Sequence, residues 1–233
     1  MLYLIGLGLN EKGISLEGIE IARKCECYLE GYTVDFPYKQ EDLEKVIGKK
    51  IQVLKREEVE SENIVDKARQ KEVCLLVYGS PLFATTHVAL LQMCQESKVK
   101  YKIVYSASIF DAIAETGLQM YKFGKTASLP AWTEKHKPDS FVNIIKENKG
   151  IKAHTLLLVD IGLEFKDALK QLTDSVDVNE LVVCSNMGTN KAKIIYGNAE
   201  KLAKQKIEKP FCFIIPSELH FLESEFLENF KYQ

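Results

Sequence analysis

Short apolar runs alternate with helical patterns along the whole chain, and this alternation constrains the fold more than any other feature. Two of the clearest runs are Val73–Val77 and Phe211–Ile215. Strands that alternate with helices indicate βαβ units, so we predict an α/β protein with mostly parallel strand pairing. The other predicted strands cover residues 3–7, 27–29, 51–54, 101–105, 154–161, 181–185 and 193–196.

Helical patterns fill the segments between these runs. Ser15 is a suitable N-cap for a helix over Leu16–Lys24, and Ser108 for one over residues 109–116. The remaining predicted helices cover residues 41–47, 64–70, 86–96, 140–145, 165–172, 199–203 and 219–230. We predict a domain boundary between residues 107 and 124. It would divide the chain into an N-terminal α/β domain over residues 1–110 and a C-terminal α/β domain over residues 111–233.

The composition is that of an ordinary globular protein. Of 233 residues, 46% are hydrophobic and 27% charged, and the formal net charge is −2, so no basic excess indicates a nucleic-acid partner. No apolar stretch approaches the roughly 20 residues of a membrane-spanning helix, and the N-terminus lacks a signal-peptide pattern. The six cysteines form no CxxC pair; we expect them to be buried, and the protein to be cytoplasmic.

Ligands of α/β proteins collect where strands end, so the strand exits contain the candidate site residues. Residues 78–88, YGSPLFATTHV, place a tight turn and a Thr-Thr-His step after a buried strand. Thr85 and Thr86 either cap the following helix or face a ligand, and His87 is either a surface residue or part of the site. The Gly-x-Gly of IGLGLN permits close backbone approach, but no third glycine completes a dinucleotide motif.

No metal site is predicted. Neither His87 nor His220 has metal-ligand spacing to another histidine, and the sequence contains no nucleophile elbow and no Walker lysine loop. From the residues alone, the chain is a two-part α/β protein with a small-molecule site between its parts.

Three segments carry a family resemblance: LYLIGLGL at residues 2–9, GSPLFATTH at residues 79–87, and SASIFDAIAETGLQMYKFGK at residues 106–125. EGYT at residues 30–33 and ELHFLE at residues 218–223 agree with them. Over residues 2 to about 226, the chain resembles the diphthine synthases of the tetrapyrrole methylase superfamily, which are class III methyltransferases.

The resemblance implies two α/β domains of the tetrapyrrole methylase type with S-adenosylmethionine in the interdomain cleft, and a homodimer. It also implies N-methylation of a 3-amino-3-carboxypropyl group on a histidine of translation elongation factor 2, as a step of diphthamide biosynthesis. The positions that would contact the cofactor are Leu9, Ser80, Phe83, Ser108, Ile109, Val159, Tyr196 and His220.

One position departs from the resemblance. The family pattern Gly-Asp-Pro-Leu-x-Ala-Thr-Thr-His has an aspartate where this chain has Ser80. Losing a charged hydrogen bond costs about 1.5–3 kcal/mol, so we expect weak cofactor binding.

Methyl transfer needs neither a metal nor a covalent enzyme intermediate, and the protein would contribute positioning and desolvation. His87 and Thr86 are candidates for assisting the proton loss of the acceptor amine. Two alternatives stay open: a superfamily methyltransferase with a different acceptor, and a non-catalytic relative that binds the elongation factor.

Overall fold

A computed structural model describes residues 1–232, and the chain divides into two compact units, Met1–Asp111 and Ala112–Gln233. The first unit contains five strands: β1 (Leu2–Gly6), β2 (Glu26–Glu30), β3 (Gln52–Leu54), β4 (Val73–Val77) and β5 (Tyr101–Val104). Its helices are α1 (Leu16–Lys24), α2 (Gln40–Ile47), α3 (Arg56–Val59), α4 (Asn63–Gln70), α5 (Val88–Glu96) and α6 (Ile109–Ala112).

The five strands of the first unit form one parallel sheet in the order β3-β2-β4-β1-β5. Every residue of the central strand β4 is buried. Val73, Leu75 and Val77 pack into the core on one face, while Cys74 and Leu76 pack into the core on the other. A strand covered on both faces reads as a continuous apolar run, which explains why this strand is the clearest in the sequence.

The second unit contains a mixed sheet in the order β6-β7-β10-β8-β9. Its strands are β6 (Ala127–Leu129), β7 (Thr155–Val159), β8 (Leu181–Ser185), β9 (Lys193–Gly197) and β10 (Phe211–Ile215). Its helices are α7 (Ser140–Gly150), α8 (Phe165–Ser175), α9 (Ala199–Leu202) and α10 (Phe221–Leu227), with short 3₁₀ helices at Ile113–Thr116, Met120–Lys122 and Glu228–Phe230.

The prediction of mostly parallel pairing is confirmed for the first sheet and wrong for the second. Among the strands within residues 1–232, only β6 and β7 pair in parallel in that sheet. The last strand, β10, inserts antiparallel between β7 and β8, and the short connection from β8 to β9 makes that pair antiparallel as well. The connection from Ser185 to Lys193 is shorter than the dozen or so residues that a parallel crossover needs, and the position of β10 depends on packing that residue patterns do not reveal.

One apolar cluster forms the core of the second unit, where the Phe211 ring packs edge to face against the rings of Phe165 and Phe213. The six cysteines are free and buried, as expected from their apolar surroundings. The short elements α3 and β6 were not predicted, because they are too brief to show a period.

Candidate functional site

The exits of β1 and β4 are joined directly through two glycines. The Gly8 N–H donates to the Gly79 carbonyl (3.2 Å), and the Gly79 N–H donates to the Gly8 carbonyl (2.9 Å). Both residues have left-handed backbones, with φ of 67° and 70°. At Gly6, a Cβ atom would lie 2.7 Å from the Gly79 carbonyl oxygen. The Gly-x-Gly of the first exit therefore serves close packing between neighbouring strand ends.

The segment after Gly79 folds around the Pro81 carbonyl. The Thr85 hydroxyl donates to this carbonyl (2.8 Å), and Nδ1 of His87 lies 3.1 Å from it. Because a carbonyl only accepts, Nδ1 carries the imidazole proton and Nε2 presents a lone pair. His87 is 1% exposed, and its Nε2 has no hydrogen-bond partner among residues 1–232. Burial lowers the pKa of His87, although the Pro81 carbonyl and the charge of Glu60 oppose that shift.

The two threonines do not cap the helix, which begins at Val88 rather than at residue 86. The Thr86 hydroxyl is exposed to solvent and donates to Oε1 of Glu60 (2.9 Å), next to α3. The capping alternative for Thr85 and Thr86 is therefore wrong. The surface alternative for His87 is wrong too, since its ring is buried.

Five of the predicted cofactor residues follow the exits of β1, β4 and β5. Leu9 is buried, and its carbonyl accepts from the Tyr78 hydroxyl (3.2 Å). Ser80 is half-buried, and its carbonyl accepts from the Phe83 N–H (3.2 Å). The Phe83 ring lies 5.8 Å from that of Phe110, between centroids.

After β5, Ser108 directly precedes α6, at the position expected of an N-cap residue. Its hydroxyl donates to Oδ2 of Asp111 (2.9 Å) and accepts from the Phe110 N–H (3.2 Å). Ile109, the first residue of α6, is half-buried. Five predicted cofactor residues thus lie at the edge of the first sheet that is formed by the carboxyl ends of its strands: Leu9, Ser80, Phe83, Ser108 and Ile109. Parallel α/β sheets bind ligands at this edge.

Buried polar atoms without a partner gather near the same edge. Within the described chain, four such atoms occur, and all belong to the first unit: Glu30 Oε2, Tyr32 OH, Tyr38 OH and His87 Nε2. The Tyr38 ring packs on Phe36 and lies 6.5 Å from the Tyr78 ring. A buried polar group without a partner costs about 1–3 kcal/mol, and such groups concentrate where ligands bind. The residues at this edge therefore fit a polar small molecule such as S-adenosylmethionine.

The three predicted cofactor residues of the second unit lie in different surroundings. Val159 ends β7 and is half-buried. Tyr196 lies in β9, is buried, and donates its hydroxyl to Glu180. His220 is exposed and is the N-cap of α10, where its Nδ1 accepts from the Leu222 N–H (3.3 Å). The cofactor roles of all eight residues, and the cleft between domains, stay predictions.

The buried carboxylate of Glu223 holds several segments of the second unit together. The sequence did not predict this role. Its two oxygens accept from the Lys122 ammonium (2.6 Å), the Gln119 N–H (2.8 Å) and the His220 N–H (2.7 Å). Oε1 also lies 3.1 Å from Nε2 of His154. Burial acts to raise the pKa of Glu223, but these hydrogen bonds outweigh it and lower the pKa to about 2.

This arrangement fixes the state of His154, which is fully buried. The Ser217 N–H donates to Nδ1 of His154 (3.0 Å), so Nε2 carries the proton and donates to Glu223. Burial lowers the pKa of His154, with the Glu223 carboxylate opposing that shift. We call Lys122, His154 and Glu223 the Glu223 network. The sequence gives one indication of this network, because residues 118–125 and 218–223 both lie in segments that carry the family resemblance.

Two absences hold for the part of the chain that the structure describes. Residues 1–232 contain no cluster of three or more histidine, cysteine, aspartate or glutamate side chains arranged to hold a metal ion. None of the helices in this range is long and apolar enough to cross a membrane.

Comparison with known proteins identifies the family. Residues 1–203 match the family model of the tetrapyrrole (corrin/porphyrin) methylases. The diphthine methyl ester synthase of Schizosaccharomyces pombe is 34% identical, over 99% of this chain and 94% of the relative. The diphthine synthase of Methanocaldococcus jannaschii is 36% identical, over 98% of each chain. A crystal structure of diphthine synthase superposes with a TM-score of 0.91 at 33% identity, covering 99% of this chain and 95% of that one.

The family model covers most of the chain, and the relatives match it over nearly their full length. The expected fold class is confirmed, because the family model matches and each of the two α/β units contains one sheet, in a chain that superposes closely on the solved diphthine synthase. The chain therefore belongs to the tetrapyrrole methylases, a family of S-adenosylmethionine-dependent methyltransferases, and within it to the diphthine synthases.

Proposed function

We propose that this protein methylates the amino group of 3-amino-3-carboxypropyl-histidine on translation elongation factor 2, with S-adenosylmethionine as the methyl donor. One observation carries the proposal: the GSPLFATTH segment and the buried polar atoms without hydrogen-bond partners lie at the same edge of the first sheet. The full-length similarity to diphthine synthases supports the acceptor. We also infer a homodimer, as the family resemblance implies, and a cytoplasmic location, since free buried cysteines are typical of a reducing compartment.

The residues that would hold S-adenosylmethionine are Leu9, Ser80, Phe83, Ser108 and Ile109 of the first unit and Val159, Tyr196 and His220 of the second. When bound, this group supplies a methyl on a positively charged sulfur. The chain's contribution is to fix the acceptor amine against that methyl and to exclude water. The fixed turns at Gly8 and Gly79 give the first unit a rigid surface for this purpose.

The acceptor amine must be unprotonated to react. Nε2 of His87 presents a buried lone pair, and the lowered pKa keeps the ring neutral at pH 7. His87 is therefore the stronger candidate for assisting proton loss, by accepting a hydrogen bond from the acceptor amine, and Thr86 is the weaker one because its hydroxyl is exposed and donates to Glu60. Unchanged turnover of His87→Ala at saturating cofactor would exclude this role.

The function is tested by methyl transfer to purified elongation factor 2 that carries the aminocarboxypropyl group. Mass spectrometry should show added methyl groups only when S-adenosylmethionine and this protein are both present. Methylation of a tetrapyrrole instead would favour the alternative acceptor class. Binding of the factor without any added methyl would favour a non-catalytic relative, which the serine at position 80 supports.

A further inference from the structure

Glu30 is a buried carboxylate that neither the fold nor the proposed cofactor site explains. It is the last residue of β2 and is 0% exposed. The Thr33 hydroxyl donates to Oε1, while Oε2 has no hydrogen-bond partner within residues 1–232. Burial raises the pKa of Glu30, and the Thr33 hydroxyl, the backbone N–H groups of Tyr32 and Tyr78 and the charge of Arg56 act against that shift.

Tyr32 lies beside this carboxylate in the same EGYT segment. Its hydroxyl is buried and makes no hydrogen bond to any described residue. The Arg56 guanidinium lies 5.2 Å from its ring centroid. Burial raises the pKa of Tyr32, and the charges of Glu30 and Glu60 raise it further, so the phenol keeps its proton. The two side chains therefore present one free carboxylate oxygen and one neutral hydroxyl.

The position of this pair along the sheet is informative. In the order β3-β2-β4-β1-β5, the predicted cofactor residues of the first unit follow β4, β1 and β5. Glu30 ends β2, the neighbour of β4 on the opposite side, so the pair flanks the turn at Gly79-Ser80-Pro81. Two buried polar atoms without a hydrogen-bond partner among residues 1–232, next to the proposed cofactor residues, match the expected place of a second substrate.

We infer that Glu30 and Tyr32 form the subsite that binds the amino group of the methyl acceptor, an inference that rests on the proposed function. An amine or ammonium donates two or three hydrogen bonds, which the Glu30 carboxylate and the Tyr32 oxygen can accept. The nearby carboxylates Glu30 and Glu60 disfavour an acceptor carboxylate at this point. Residues 31–39 contain no helix or strand, so the part of the chain that carries Tyr32 is a loop.

The test compares two forms of elongation factor 2, one with the aminocarboxypropyl-histidine and one with the unmodified histidine. Their dissociation constants are measured by calorimetry in the presence of S-adenosylhomocysteine, for the wild-type protein and for Glu30→Gln and Tyr32→Phe. Matched controls are Tyr3→Phe and Glu72→Gln, a hydroxyl–carboxylate pair (3.0 Å) near the opposite edge of the sheet. Methyl transfer and melting temperature are recorded for each protein.

We expect the wild type and both controls to bind the modified factor more tightly than the unmodified one. In Glu30→Gln and Tyr32→Phe, the ratio of the two dissociation constants should shrink at least tenfold. Their affinity for S-adenosylhomocysteine should stay within twofold of wild type, and the melting temperature of Tyr32→Phe should not fall. Retained preference in both variants, or a parallel loss of S-adenosylhomocysteine affinity, would overturn the inference. Absence of methyl transfer by the wild type would count against the proposed function itself.

Discussion

At the scale of single residues, Ser80 stands where the family resemblance implies an aspartate. Serine is shorter than aspartate and uncharged, although it both donates and accepts hydrogen bonds. The surrounding turn is intact, because the Ser80 carbonyl still accepts from the Phe83 N–H. We therefore expect the serine to alter contacts with the proposed cofactor through its side chain, while this backbone hydrogen bond holds the turn that carries it.

Restoring the carboxylate should strengthen cofactor binding. We expect Ser80→Asp to lower the dissociation constant of S-adenosylhomocysteine by about ten- to a hundredfold, because a charged hydrogen bond contributes about 1.5–3 kcal/mol. Titration calorimetry measures this directly, with Ser80→Ala as the control that adds no charge. Equal or weaker binding by Ser80→Asp would mean that other groups already compensate for the serine.

For His87, the residue pattern predicted the position along the chain but not the burial of the side chain. The sequence correctly placed it at the start of a helix after a strand exit. It did not indicate burial, which arises because the chain folds back so that the Pro81 carbonyl meets Nδ1 of the ring. Such a contact depends on a turn geometry that the residues PLFATT do not specify by themselves.

At the scale of elements, the Glu223 network joins the loop before β6 to the start of α10. Gln119 precedes the 3₁₀ helix of this segment and Lys122 ends it, and Glu223 belongs to the first turn of α10. Glutamate at this position also accepts from the His220 N–H, which completes a capping box. One carboxylate thus holds two segments that are about a hundred residues apart in sequence.

Removing this carboxylate should destabilise the protein strongly. Glu223→Ala leaves the buried His154 and two backbone N–H groups without their acceptor, and we expect a loss of about 3–5 kcal/mol in the free energy of unfolding. Urea denaturation followed by circular dichroism measures it. Glu225→Ala, at an exposed position of the same helix, should change stability by less than about 0.5 kcal/mol. Similar losses in both variants would contradict the role of the network.

Sequence predicted the elements better than their pairing. Strands β4, β8 and β10 were predicted with their observed bounds, since strands buried on both faces are unbroken apolar runs. The antiparallel position of β10 was not predicted, because pairing partners far apart in sequence leave no local period. The Glu223 network was missed for the same reason: its members are polar residues in three separate segments.

At the scale of the whole molecule, two buried neutral histidines link stability to pH. The pKa values of His87 and His154 are both lowered from 6.5, mainly by burial. The unfolded chain therefore binds more protons than the folded chain when the pH falls below about 6.5. The contribution of the two histidines to the free energy of unfolding is fully present above that pH. It declines as the pH falls toward their folded-state pKa values.

We expect the melting temperature to fall between pH 7.5 and pH 5.5. Each histidine contributes at most about 1.4 kcal/mol per pH unit below 6.5. Differential scanning fluorimetry of the wild type and of His154→Gln measures the difference, and the variant should lose less stability over this range. His136→Gln, at an exposed histidine, is the control. A melting temperature that rises on acidification would contradict the neutral state of the two rings.

The most direct test of the central claim is a calorimetric titration of the purified protein with S-adenosylhomocysteine. The account predicts binding at about micromolar affinity, one site per chain, and a higher melting temperature with the ligand present. No detectable heat, together with an unshifted melting temperature, would contradict a cofactor site at the edge of the first sheet and favour a non-catalytic relative that binds the elongation factor.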